Sequence, residues 1–150
     1  MIIIAPFAQK LRTGDQNPKN YPYWEELISM IDEPIVQVGV EGEKQLVEDF
    51  RKGLPISELK ELLKDCRTWI SVDSFFQHLG WIENKKGIVL WGPSDPLIFG
   101  HPENINLLKD RKYLVPNQFI WWEATEYQAE RFVKPHEVME HLWHSPDIPR

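Results

Sequence analysis

Three groups of side chains in this chain could do chemistry on a phosphorylated ligand. The first is Asp73-Ser74 with His78. It follows the buried-looking run Trp69 to Val72 and opens a short helical pattern. A polar side chain at a helix start, the free amides of the first turn and the helix dipole together favour an anion. His78, one turn further on, could add a donor. The plainer alternative is that Asp73 caps the helix and His78 is a half-exposed histidine. The second group is Lys19 with Lys10 and Arg12, in the polar stretch of residues 8–20. There a lysine would act as a point charge on a diphosphate and an arginine as a bidentate fork, although loop cations are often just solvated. The third is Glu41, in the turn Gly39-Val40-Glu41-Gly42. A carboxylate at the end of a second strand can accept two ribose hydroxyls; otherwise it is a surface acid in a turn.

Other signatures are missing or weak. Gly-x-Gly-x-x-Gly, the P-loop, Gly-x-Ser-x-Gly and His-Glu-x-x-His are all absent. His136, His141 and His144 are poorly spaced for a shared metal and read as surface residues, so no metal site is expected. Cys66 is single and sits in an amphipathic segment, as a small core residue would in a reducing compartment.

These groups need a scaffold that brings loops to one edge. Ile2 to Phe7 is fully apolar and β-branched, which suits a buried parallel strand. Trp24, Leu27, Ile28 and Ile31 form a helical stripe behind Pro22, and Pro34 stops that helix. Ile35 to Val40 reads as the second strand. Residues 43–52 read as a helix with Leu46, Val47 and Phe50 inward. Ser57 can cap the next helix, which carries Leu59, Leu62, Leu63 and Cys66. Trp69 to Val72 and Gly87 to Trp91 are strands around a helix lined by Phe75, Leu79 and Ile82. The second of these strands ends in Gly92-Pro93-Ser94-Asp95, which makes Ser94 and Asp95 further rim candidates. Ile105 to Leu108 reads as a last strand, residues 109–134 as an irregular aromatic segment, and Pro135 to Trp143 as a terminal helix. Alternating strands and helices predict one α/β domain over residues 1–150, a Rossmann-like doubly wound parallel sheet that binds ligand beyond its strands' carboxyl ends.

Composition narrows the partners. The chain has 150 residues, 42% hydrophobic and 27% charged, enough to form one globular domain with a sizeable core. With 23 acidic against 17 basic residues, bulk charge argues against coating nucleic acid. No apolar run approaches membrane-spanning length and the opening residues carry no basic leader, so a cytoplasmic protein is expected. Seven tryptophans suit core, stacking surface or interface equally.

The ordered segments Ser71-Val72-Asp73-Ser74-Phe75-Phe76-Gln77-His78, Gly92-Pro93-Ser94-Asp95-Pro96, Lys19-Asn20-Tyr21-Pro22 and Gly39-Val40-Glu41 together resemble glycosyltransferase family 9, the heptosyltransferases. The likeness is to the carboxyl-terminal, nucleotide-sugar-binding half of their GT-B fold. It implies a nucleoside-diphosphate sugar as donor substrate and no separate cofactor. Lys19, Asp73, Ser74, Phe75 and His78 would stand at the diphosphate and sugar, and Gly39, Glu41 and Leu54 at the ribose and base. Lys10, Arg12, Ser94 and Asp95 would be secondary. Two departures stand out. Phe75 replaces the family glycine, and the amino-terminal acceptor domain that supplies a base has no counterpart in these residues. The expected function is glycosyl transfer completed by a second copy or a separate acceptor-binding subunit. The alternatives are a non-catalytic module that senses or sequesters a nucleotide or nucleotide sugar, or a scaffold docking through residues 119–122.

Overall fold

A computed structural model describes residues 1–150. Six strands form one sheet with every neighbouring pair parallel: β1 (Ile2–Ala5), β2 (Ile35–Gly39), β3 (Asp49–Lys52), β4 (Thr68–Val72), β5 (Ile88–Trp91) and β6 (Ile105–Leu108). Their order is β3-β2-β1-β4-β5-β6. The order reverses between β1 and β4, so the crevice beyond Ala5 and Val72 is the topological switch point.

Alternation within the apolar strands explains the two layers. Ile2, Ile4, Ile70, Val72, Ile88 and Leu90 point to one face, where they pack with Trp24 and Leu27 of α1 (Trp24–Met30) and with Val138, Met139 and Leu142 of the terminal helix Pro135–His144. Ile3, Ala5, Trp69, Val89 and Trp91 point to the other, against Leu62 and Leu63 of α2 (Ile56–Asp65) and Phe76 and Leu79 of α3 (Phe75–Ile82). Strands covered on both faces cannot alternate apolar with polar, hence their unbroken Ile and Val runs. A four-residue helix, α4 (Pro96–Phe99), follows β5, and the terminal helix is numbered α5.

Three local expectations are corrected. Residues 43–52 contain no helix, and 49–52 form edge strand β3. The side chain of Gln37, fully buried in β2, replaces the missing crossover helix: it donates to Lys44 O at 2.8 Å and accepts from Leu46 N at 2.7 Å, holding the return loop. Ser57 does not cap α2, whose N-cap position is Pro55 with no side-chain bond. On α3 the inward residues are Phe76, Gln77, Leu79 and Gly80, whereas Phe75 is 56% and Ile82 64% exposed. A glutamine on the buried face disguised the stripe.

Candidate functional site

The loop after β1 is ordered by two buried asparagines. Asn20 Oδ1 accepts from Ala8 N at 2.8 Å, closing the loop's ends together. Asn17 donates to Gln9 O and accepts from Lys19 N, which sets the backbone of Lys19. Just beyond, Trp24 Nε1 donates to Pro6 O and Tyr21 Oη to Val133 O. These bonds carry Lys19 over the end of β4, where its Nζ lies 3.0 Å from Asp73 Oδ2.

Both members of this pair are largely buried, with side chains 16% and 8% exposed. Asp73 Oδ1 also accepts from Gln77 Nε2 at 2.8 Å, a bond from the polar residue on the inner face of α3. Asp73 therefore does not cap α3. The N-cap is Ser74, whose hydroxyl makes no capping bond. A basic side chain and the opening turn of α3 do meet at the switch point, but the basic group is already paired there and aromatic rings close over it. Its Nζ lies 4.5 Å from the centre of the Trp122 ring and 5.8 Å from that of Phe99.

The other candidates separate by place. His78 is engaged with another ring: its Nδ1 lies 2.7 Å from His101 Nε2, and His101 is stacked on Trp81 with ring centres 4.2 Å apart. Burial, then the neighbouring charge of His101, lowers the His78 pKa. Lys10 is exposed, while Arg12 stacks on Trp121 at 4.0 Å and approaches Glu123 at 3.8 Å. Ser94 is fully buried. Asp95 caps α4 by accepting from Leu97 N at 2.9 Å and takes both arms of Arg111, at 3.1 and 2.7 Å. The Arg111 bonds hold its carboxyl below the usual carboxylate range.

At the end of β2, Glu41 is 86% exposed and leans toward Lys52 at 3.6 Å. The acid that turns inward there is Glu43, which no local sequence pattern marks, and its Oε1 accepts from Val40 N at 2.5 Å. A Cβ on Gly39 would stand 2.2 Å from that oxygen, so the glycine is what lets Glu43 fold back. Burial raises the Glu43 pKa. Leu54 is half-buried against the α2 and α3 face of the core. The structure thus brings Lys19, Asp73, Ser74 and Gln77 together, and leaves Glu41 exposed beside β3. His136, His141 and His144 are exposed on α5. No helix is long and apolar enough to cross a membrane.

Two surface grooves lie elsewhere. One, of about 470 Å³, is bordered by Trp81, Lys85 and Glu103. The other, of about 710 Å³, is bordered by Met1, Ile31 and Val47. Both are at the amino-terminal end of the sheet, opposite the crevice where parallel α/β folds bind ligands.

Sheet order and switch point define a doubly wound, Rossmann-like α/β domain of the kind found as one half of glycosyltransferases. Among solved structures it is similar to the dodecameric iron-containing heptosyltransferase TibC, crystallised in complex with ADP-D-beta-D-heptose. The TM-score is 0.54 with 13% identity, covering 97% of this chain and 37% of that one. At this identity the likeness is one of fold. It extends into residues 101–150, beyond the motifs that suggested it, and this chain spans little more than a third of TibC's length. No family model matches the sequence. No curated protein matches it either.

Proposed function

We propose that this domain binds a nucleoside-diphosphate sugar at the switch point and serves glycosyl transfer. The observation that carries the reading is the Lys19 ammonium held 3.0 Å from Asp73 at the mouth of α3. A single crevice thereby offers a buried cation, the Ser74 hydroxyl and the opening amides of a helix, the donor set a diphosphate needs. Lys19, Ser74 and the amides of Phe75 and Phe76 take the phosphate oxygens. Asp73, itself anionic, accepts from a sugar hydroxyl and keeps Lys19 in place. As the diphosphate leaves, the same cation and dipoles stabilise its growing charge, which is an electrostatic contribution to transfer.

Binding without transfer is the second reading. It is favoured by the state of the rim's side chains: Asp73 is engaged by Lys19, Asp95 by Arg111 and His78 by His101, so none stands ready to take a proton from an acceptor hydroxyl. A thermal-shift screen with ADP, UDP, GDP and CDP sugars tests the shared premise. A dose-dependent rise in Tm that Lys19→Ala abolishes supports it, and no rise with any sugar nucleotide contradicts it. Release of free nucleoside diphosphate, with and without added acceptor proteins, then separates transfer from binding.

A further inference from the structure

Residues 119–126 lie across the switch-point crevice, and their attachments are unlike those of the chain on either side. Before them, Val115 N donates to Pro93 O, and the buried side chain of Gln118 bonds to Asp95 N, Pro93 O and Val115 O. After them, Phe132 is fully buried on Gly92, where a Cβ would stand 2.4 Å from its ring. Arg131 there donates to Tyr113 O. The chain is therefore fixed at both ends to the loop that follows β5.

Between those anchors, the backbone of 119–126 bonds only locally: Phe119 N donates to the side chain of neighbouring Asn117, Ala124 N to Trp121 O and Thr125 N to Trp122 O. The hold on the body comes from side chains: Trp122 on Lys19, Arg12 against Trp121 and Glu123, and Phe119 edge-on to Phe99 at 6.0 Å. Phe119 is 79% and Trp121 67% exposed, so this stretch adds little to either core. Gln77 Oε1, Ser94 Oγ, Thr125 Oγ1 and Arg131 Nε are buried at this rim without a protein partner. Closing over unsatisfied polar atoms is costly, and a segment tied down by few contacts opens at low free energy.

We infer that residues 119–126 are a lid over the switch-point crevice, held shut by Trp122 on Lys19 and by Arg12 on Trp121 and Glu123, and lifting to admit a pyrophosphate group. The inference rests on the nucleotide-site reading above. A phosphate reaching Lys19 must take the place that Trp122 occupies, so lid opening and diphosphate binding are one exchange. The lid also sets the ligand's order of entry, since the phosphates cannot reach Lys19 while it is closed.

Amide hydrogen exchange on the free protein is the first test. The lid predicts that residues 119–126 exchange at least a hundredfold faster than β4 and residues 132–134, and equal protection would overturn it. Next, the full chain carrying 5-fluorotryptophan, assigned with Trp121→Phe and Trp122→Phe, is titrated with inorganic pyrophosphate and ADP by fluorine NMR and calorimetry. Binding that shifts Trp121 and Trp122 while Trp69 and Trp91 stay fixed is the expected result, with Trp122→Ala tightening pyrophosphate severalfold. Calorimetric binding with Trp121 and Trp122 unmoved would overturn the lid and leave the site standing. Calorimetric silence would instead contradict the site, and the lid's ligand would fall with it.

Discussion

Two carboxylates follow neighbouring strands of the sheet, and both are paired with a cation, yet they are engaged differently. Asp95, after β5, caps α4 and receives two bonds from Arg111, itself 56% exposed at the side chain. All of its acceptors hold local structure. Asp73, after β4, leaves the mouth of α3 uncapped and instead holds one buried lysine from a loop far away in sequence. The first arrangement is what a turn needs; the second keeps helix amides and a positive charge together at the switch point. Pairing alone therefore does not distinguish a structural acid from an acid of the proposed site. What distinguishes them is which donors remain after the pairing.

Removing the cation from each pair should break the comparison most sharply. Lys19→Met leaves the buried Asp73 carboxylate uncompensated, an expected loss of about 3 kcal/mol in urea unfolding, with nucleotide affinity falling at least tenfold. Lys19→Met combined with Asp73→Asn should recover most of that stability without recovering binding. Arg111→Ala, which removes a solvent-exposed cation from the buried Asp95, should lower Tm less than Lys19→Met and leave nucleotide affinity unchanged.

A smaller effect is expected in acid. Asp95 has a depressed pKa through Arg111, so its stabilisation is present above the unfolded carboxylate range and is lost as pH falls through the folded value. The His78 pKa is also depressed, by burial and then by His101, so the unfolded chain takes up its proton first. Stability should therefore begin to decline below about pH 6.5. His78→Gln should flatten that first decline in a pH series of unfolding curves, and an unchanged slope would assign it elsewhere.

Alkali should act on the other side of the crevice. Burial raises the pKa of Tyr127 to about 12 and pushes that of Tyr21 up as well. Both phenols are hydrogen-bonded donors, Tyr127 to Asn20 O at the edge of the Lys19 loop. Their stabilisation is complete below the ordinary tyrosine pKa, near 10, and drains away as pH rises toward the folded values. Tyr127→Phe should soften the decline above pH 10 while leaving the acid limb unchanged.

What could be read in the sequence follows from the range of the interaction that decides it. β1, β4 and β5 declare themselves as apolar runs, and α1 and α5 as stripes, because burial on a regular element is a local pattern. β3 was disguised because Leu46, Val47 and Phe50 mimic helical spacing, while the crossover's real support is the buried amide of Gln37. Asp73 and Lys19 were legible as types, but their meeting depends on Asn17 and Asn20 folding a loop back on itself. His101 as the partner of His78, and Trp122 as the cover of Lys19, join residues 23 and 103 positions apart. No local periodicity encodes contacts of that separation.

The central claim is that Lys19 and the mouth of α3 form a diphosphate cradle, and calorimetric titration of the folded native chain and of Lys19→Met with the sugar nucleotide that most raises Tm tests it directly. Saturable binding by the native chain, weakened at least tenfold in Lys19→Met with the circular dichroism of the two proteins alike, is the predicted result. Equal affinity in the two proteins, or no heat from the native one, would contradict it.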